Sequence, residues 1–189
     1  KAESCIVTTP YENLHILPSS LDLAAAELEI SDKKGRESIL KNALLPIKQY
    51  YDYIIIDCPP SLGLITTNAL TASDTFLVPI QCEYYALEGL TQLMSTVRRI
   101  KRQYNNTIDI EGVLLTMYDG RLNLTQQVVE EVKKFFPRKV FKTVIPRGVR
   151  LSEAPSFGMP VIYYDKNCKG SITYTELAKE IIAKERSYE

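Results

Sequence analysis

The sequence predicts an α/β fold, a mostly parallel sheet flanked by helices, because strand-like and helix-like segments alternate along it. Three observations carry that expectation. Residues 53–56 (Tyr-Ile-Ile-Ile) are apolar without polar alternation, the pattern of a strand buried on both faces of a parallel sheet. Leu90, Leu93, Val97 and Ile100 recur at spacings of three and four, the pattern of an amphipathic helix. Further apolar runs at 75–80, 110–117 and 140–145 are each reached through a segment of helical period.

Taken in order, residues 1–12 are polar, contain Pro10 and read as a loop; residues 13–18 read as a strand. Ser20 or Asp22 can cap a helix through Leu28, which Ser31 and Asp32 interrupt. A second amphipathic helix spans 37–50 and is disturbed near Pro46, whose ring does not fit a helix interior. The buried strand at 53–57 follows, then a helix at 64–72, a strand at 75–80 and the strongest helix, 86–104. Arg98, Arg99, Lys101 and Arg102 fill the last turns of that helix, where cations suit its dipole. A solvated helix end is the plain reading of this run and a binding site the alternative. A strand at 110–117, a helix at 122–136 and a strand at 140–145 ended by Pro146 come next. A short basic turn at 147–151 and a helix at 171–184 follow. With 189 residues and no repeat, linker or low-complexity stretch, one domain over 1–189 is expected.

Acidic and basic residues number 23 each, so no global field draws the chain to nucleic acid and any basic site must be local. Cys5, Cys58, Cys82 and Cys168 lie far apart with no C-x-x-C, which points to reduced thiols of a cytosolic protein. His15, the sole histidine, lies in a strand-like run and reads as structural. No apolar run reaches the roughly 18 residues of a membrane span and no signal-peptide pattern is present, so neither a span nor export is expected.

Function is most legible at residues 51–63, YDYIIIDCPPSLG. Asp57 stands at the carboxyl end of the predicted strand, the edge where open α/β sheets bind ligands. A carboxylate there can hold magnesium, directly or through water, beside a nucleotide phosphate. Pro59 and Pro60 stop the strand and stiffen its exit. Many α/β proteins have a strand ending in Asp; three further blocks narrow the field. These are PIQCEYYALEGLTQL at 79–93, EGVLLTMYDGRLNL at 111–124 and TVIPRGVRLSEAPSFGMPV at 143–161. With YDYIIIDCPPSLGLITTNAL at 51–70 before them, the chain resembles the ParA/Soj family of chromosome- and plasmid-partitioning ATPases over about residues 13–182. That family lies in the deviant-Walker, MinD-like P-loop class.

The resemblance implies a homodimer that clamps two ATP molecules with magnesium. It also implies that the ATP-bound dimer binds double-stranded DNA without sequence preference, and that a ParB/Spo0J-like partner stimulates hydrolysis. The setting implied is cytoplasmic and nucleoid-associated, with no membrane partner. Carried onto this sequence, Asp57 takes the Walker B role at magnesium through water, and Pro59 belongs to the same motif. Gln81 and Glu83 fall near the dimer interface and nucleotide; their plain reading is a helix start, with Glu88 on the favourable side of the dipole. Thr116 with Met117, and Pro146 with Arg147, are the strand ends that wall the adenine pocket in the family. An apolar or backbone wall suits a flat base. Arg121 and Arg150 match arginines the family uses on the DNA backbone, where a guanidinium fork fits phosphate oxygens. Arg147 and Arg150 are three apart and in a helical turn would share a face. The plain reading of Arg121 and Arg150 is a solvated arginine or a local ion pair, for example with Asp119 or Glu153.

The sequence also departs from the family. No K-G-G-V-G-K-T loop occurs in these residues, nor the strand ending D-x-D-P-Q, and none of the eight glycines forms a phosphate-binding run. In the family fold the loop's strand lies beside the equivalent of 53–57, so its absence is expected to leave an apolar edge open. The chain is therefore expected to be the C-terminal three quarters of a longer ATPase domain and not to hydrolyse ATP by itself. The alternative is a module that binds DNA or a partner without enzymatic activity, which the upstream genomic sequence would decide. Leu122 in place of a common threonine, and Met159 in place of a frequent lysine, are milder departures. The ending Ala-Lys-Glu-Arg-Ser-Tyr-Glu is no basic amphipathic anchor, and the lack of C-x-x-C disfavours an iron–sulfur carrier.

Overall fold

The computed structural model describes residues 1–83 and 86–186, with the side chains at 24 and 86–88 outside that description. In chain order the elements are β1 (Val7–Thr8), β2 (His15–Ile16), α1 (Asp22–Glu29), α2 (Ile39–Leu44), α3 (Leu64–Ala72), β3 (Thr75–Gln81), α4 (Ala86–Gln103), β4 (Asp109–Thr116), α5 (Asn123–Phe135), α6 (Val149–Glu153), α7 (Val161–Tyr164) and α8 (Lys169–Glu185). Two compact units form: Lys1–Thr75 with Leu93–Asp109, and Phe76–Gln92 with Ile110–Glu189.

In the first unit β1 and β2 pair antiparallel, Val7 opposite Ile16 and Thr8 opposite His15. The expected loop at 1–12 thus contains a strand, closed by the Thr9 hydroxyl donating to the Leu14 carbonyl at 2.7 Å. His15 Nδ1 lies 2.9 Å from the Tyr51 hydroxyl, a structural role. The Ser20 hydroxyl accepts the Asp22 N–H as α1 begins. Helix α2 stops at Leu44, ahead of Pro46, and the chain resumes as a 3-10 turn at Lys48–Tyr50.

Helix α3 buries Thr66, Thr67, Asn68, Ala69, Leu70 and Thr71. Burial of its hydroxyls is offset by bonds one turn back, Thr71 to Thr67 O at 2.7 Å and Thr67 to Gly63 O at 3.0 Å. The Asn68 amide donates to Arg36 O at 2.8 Å, and its oxygen accepts the Leu40 N–H at 3.1 Å, which fastens α2 to α3. Buried Asn105 donates to the carbonyls of Leu70 and Ser73 at 3.0 and 2.7 Å, satisfying the end of α3. Within α4, Val97 and Ile100 are buried while Arg98, Arg99, Lys101 and Arg102 are exposed, so the basic run is a solvated face.

In the second unit β3 and β4 are hydrogen-bonded neighbours. Consecutive Val113, Leu114 and Leu115 of β4 are all buried, as an interior strand requires. Residues 139–146 run alongside β4 in parallel. Val113 N–H donates to Lys139 O at 2.8 Å, Phe141 N–H to Val113 O at 3.0 Å and Tyr118 N–H to Ile145 O at 3.0 Å. The strand expected at 140–145 is thereby reduced to one parallel bridge at Val140, with a second just beyond it at Pro146, because Glu180 of α8 takes the N–H groups of Lys142 and Thr143 at 2.7 and 2.9 Å. Partial burial works against the Glu180 carboxylate, but these donors outweigh it and hold its pKa below the ordinary value.

Leu114, Phe141, Ile145 and Leu177 form the core here, with Leu77, Leu151 and Ile181 packed against it. Gly112 is required by this packing: a Cβ there would lie 2.4 Å from the Phe141 ring. Gly112→Ala is expected to destabilise the protein by about 1–3 kcal/mol. A urea-unfolding midpoint lowered at constant slope would check this, and an unchanged midpoint would mean the ring moves aside freely.

The buried strand expected at 53–57 is not formed. The segment has no strand assignment, and Ile55 is 92% exposed. A strand buried on both faces needs hydrogen-bonded neighbours at its edges, and no described strand pairs with this one.

Candidate functional site

Asp57 belongs to the first unit and is exposed, as are Pro59 and Pro60. The turn that follows is pinned, although the preceding segment is not paired with any described strand. Glu27 Oε1 accepts the Leu64 N–H at 2.5 Å at the start of α3, and Thr66 donates to Ser61 O at 2.6 Å. Among the described residues no three His, Cys, Asp or Glu side chains converge on one point. Cys58 is exposed, and partial desolvation with the Asp57 charge beside it pushes its thiol up.

The second unit brings together Glu83, Thr116, Met117, Pro146 and Arg147. Strand β4 ends at Thr116, whose hydroxyl donates to Ile80 O at 3.2 Å. Met117 has φ 49°, a left-handed backbone that a non-glycine residue adopts at a cost of about 1–2 kcal/mol. Tyr118 bridges to Pro146 directly after it. Arg147 Nη2 then lies 3.9 Å from Met117 Sδ and 3.8 Å from Glu83 Oε1. The cluster offers apolar surface from Met117 and Pro146 beside a guanidinium and a carboxylate, which suits a flat heteroaromatic group with polar edges. The Glu88 side chain lies outside the described residues.

Both arginines matched to DNA contacts are engaged within the second unit. Arg121 forks onto Asp119, Nε to Oδ1 at 2.9 Å and Nη2 to Oδ2 at 2.6 Å, while its N–H donates to Oδ1 at 3.1 Å. The hydrogen bonds from the Arg121 side chain and backbone hold the Asp119 carboxyl down to about 2. Arg150 Nη1 donates to Glu153 Oε2 at 2.8 Å, and its Nε lies 3.5 Å from Asp165 Oδ2. The guanidinium sits 6.0 Å from the Tyr164 ring centroid; Tyr164 donates to Glu153 at 3.2 Å and stacks on Phe157 at 5.1 Å.

The pairs with Asp119 and Glu153 are those the local sequence suggested. Tyr164 and Asp165 were not foreseen: they lie on α7 and just after it, and no local spacing links them to Arg150. Arg147 and Arg150 take different partners, because Arg147 precedes α6 rather than sharing its turn.

The AAA domain family matches residues 1–110. The chain is 60% identical over 178 residues to the sporulation initiation inhibitor protein Soj of Bacillus subtilis (strain 168), covering 94% of this chain and 70% of that protein. It is 49% identical over 182 residues to the chromosome-partitioning ATPase Soj of Treponema pallidum (strain Nichols), covering 96% and 72%. Cobyrinic acid a,c-diamide synthase of Mycobacterium smegmatis, solved with bound ADP and magnesium, matches with a TM-score of 0.84 at 32% identity, over 100% of this chain and 69% of that one. The fold class is that of P-loop NTPases, α/β with a parallel sheet flanked by helices. No described helix is long and apolar enough to cross a membrane.

Proposed function

Because the chain belongs to the ParA/Soj family of partitioning ATPases, we propose that residues 1–189 are part of one ATPase domain that dimerises around ATP and binds nucleoid DNA in the cytoplasm. The juxtaposition of Glu83, Thr116, Met117, Pro146 and Arg147 supports this reading most. Met117, Thr116 and Pro146 line the adenine side, with Arg147 and Glu83 at its polar rim. Asp57 would hold magnesium, and Pro59 fixes the turn that presents it. The ion would supply positive charge that stabilises the phosphates.

Arg121 and Arg150 contact phosphates of double-stranded DNA without reading bases. One subunit offers few such contacts, so retention depends on a dimer presenting both sets and falls steeply with salt. A ParB/Spo0J-like partner accelerates hydrolysis and ends each cycle. These 189 residues contain no phosphate-binding glycine loop, and purified chain 1–189 is expected to show no magnesium-dependent ATP turnover; measurable turnover would overturn that point. The function itself is tested on the full-length protein, by retention on random-sequence duplex DNA with ATP against ADP and by turnover with the ParB-like partner. Absence of both nucleotide-dependent retention and partner-stimulated turnover would overturn it.

A further inference from the structure

The two arginines assigned to DNA are folded back onto carboxylates of their own surface. Arg121 is 88% exposed, yet its guanidinium is matched edge to edge by Asp119. Arg150 faces two carboxylates, Glu153 and Asp165, so its cluster carries one more negative than positive charge. Phe157 stacked on Tyr164, and Tyr164 donating to Glu153, keep that carboxylate in place. A DNA phosphate approaching either arginine meets a neutral or acidic surface.

We propose that Asp119 and Glu153 set the DNA affinity of this protein by occupying Arg121 and Arg150, so that each phosphate contact forms only by displacing a carboxylate. The proposal rests on the DNA reading above and adds to it a restraint built into the same site. Exposed ion pairs are weak, so the restraint is one a phosphate can overcome, at roughly two- to fivefold in affinity per pair. The factors multiply across two pairs and again across two subunits. Asp165 has a second duty, its Oδ1 accepting the N–H groups of Asn167 and Cys168 ahead of α8, so its removal would disturb the fold as well as the charge.

The test uses the full-length protein with Asp119→Asn, Glu153→Gln and both together. Each amide keeps an oxygen to accept the Arg121 N–H or the Tyr164 hydroxyl, so the local fold is retained while the charge is lost. Binding to a fluorescent random-sequence duplex is measured by anisotropy, with ADP and with ATP. The double variant is expected to bind about tenfold tighter in ADP, and by a larger factor in ATP, where a dimer carries the two pairs twice. The gain is expected to vanish when Arg121→Ala and Arg150→Ala are added, as a double-mutant cycle requires of a coupled pair. Affinity unchanged or weakened by the amides overturns the proposal, and so does a gain that persists without the arginines, which would be bulk charge alone. Arg121→Ala with Arg150→Ala in the otherwise unaltered protein separates the two ideas. If that variant binds as tightly as the parent, the DNA reading itself fails; if it binds weakly while the amides bring no gain, only the restraint fails.

Discussion

Arg150→Glu is expected to abolish ATP-dependent retention on non-specific duplex DNA in the full-length protein. The substitution does more than delete a donor. It sets a third carboxylate beside Glu153 and Asp165, in the cluster where the proposed function docks a phosphate. A dimer suffers the change twice, and an affinity loss of roughly a hundredfold or more follows from losing two phosphate contacts and adding repulsion. Where residual binding can still be measured, the dependence of log affinity on log salt should flatten by about two, one for each lost contact. Anisotropy titrations from low to moderate salt measure both quantities. Parent-like affinity and slope would remove Arg150 from the DNA surface. Loss of nucleotide binding along with DNA binding would instead mark a folding defect.

Asp57→Asn is expected to suppress magnesium-dependent ATP turnover in the full-length protein by at least about a hundredfold, since a metal's stabilisation of developing charge is worth several kcal/mol. The amide is nearly isosteric, so the turn at Pro59 and Pro60 should survive and the loss should lie in catalysis. Turnover is measured across a magnesium series. A deficit that persists at saturating metal is the expected result; parent-like turnover at ordinary magnesium would remove Asp57 from the metal site.

What the sequence made legible followed the range of the interaction responsible. Helices α3, α4 and α5 and strands β3 and β4 were readable because periodicity and unbroken apolar runs are local signals. The segment at 53–57 has the composition of a buried strand, but composition cannot supply a partner, and Ile55 stands in solvent. The strand at 140–145 was curtailed by Glu180, nearly forty positions downstream, whose carboxylate takes two of its N–H groups. At the site, motif order brought Glu83, Met117 and Arg147 to attention, and the structure does gather them. Asp119 and Glu153 were visible as near neighbours of the arginines, whereas Asp165 and Tyr164 reach Arg150 through tertiary packing alone.

The left-handed backbone at Met117 has a consequence for how this position can vary. Glycine there would relax the chain by about 1 kcal/mol and cost the cluster its thioether. A β-branched residue would keep an apolar wall and add strain to the bend that leads Tyr118 to Pro146. On the proposed function, in which Met117 walls the base, gains in stability and the upkeep of that wall pull this position in opposite directions. Met117 would then be a poorer place to relax the backbone than Asn13 or Arg138, which share its positive φ without belonging to the cluster.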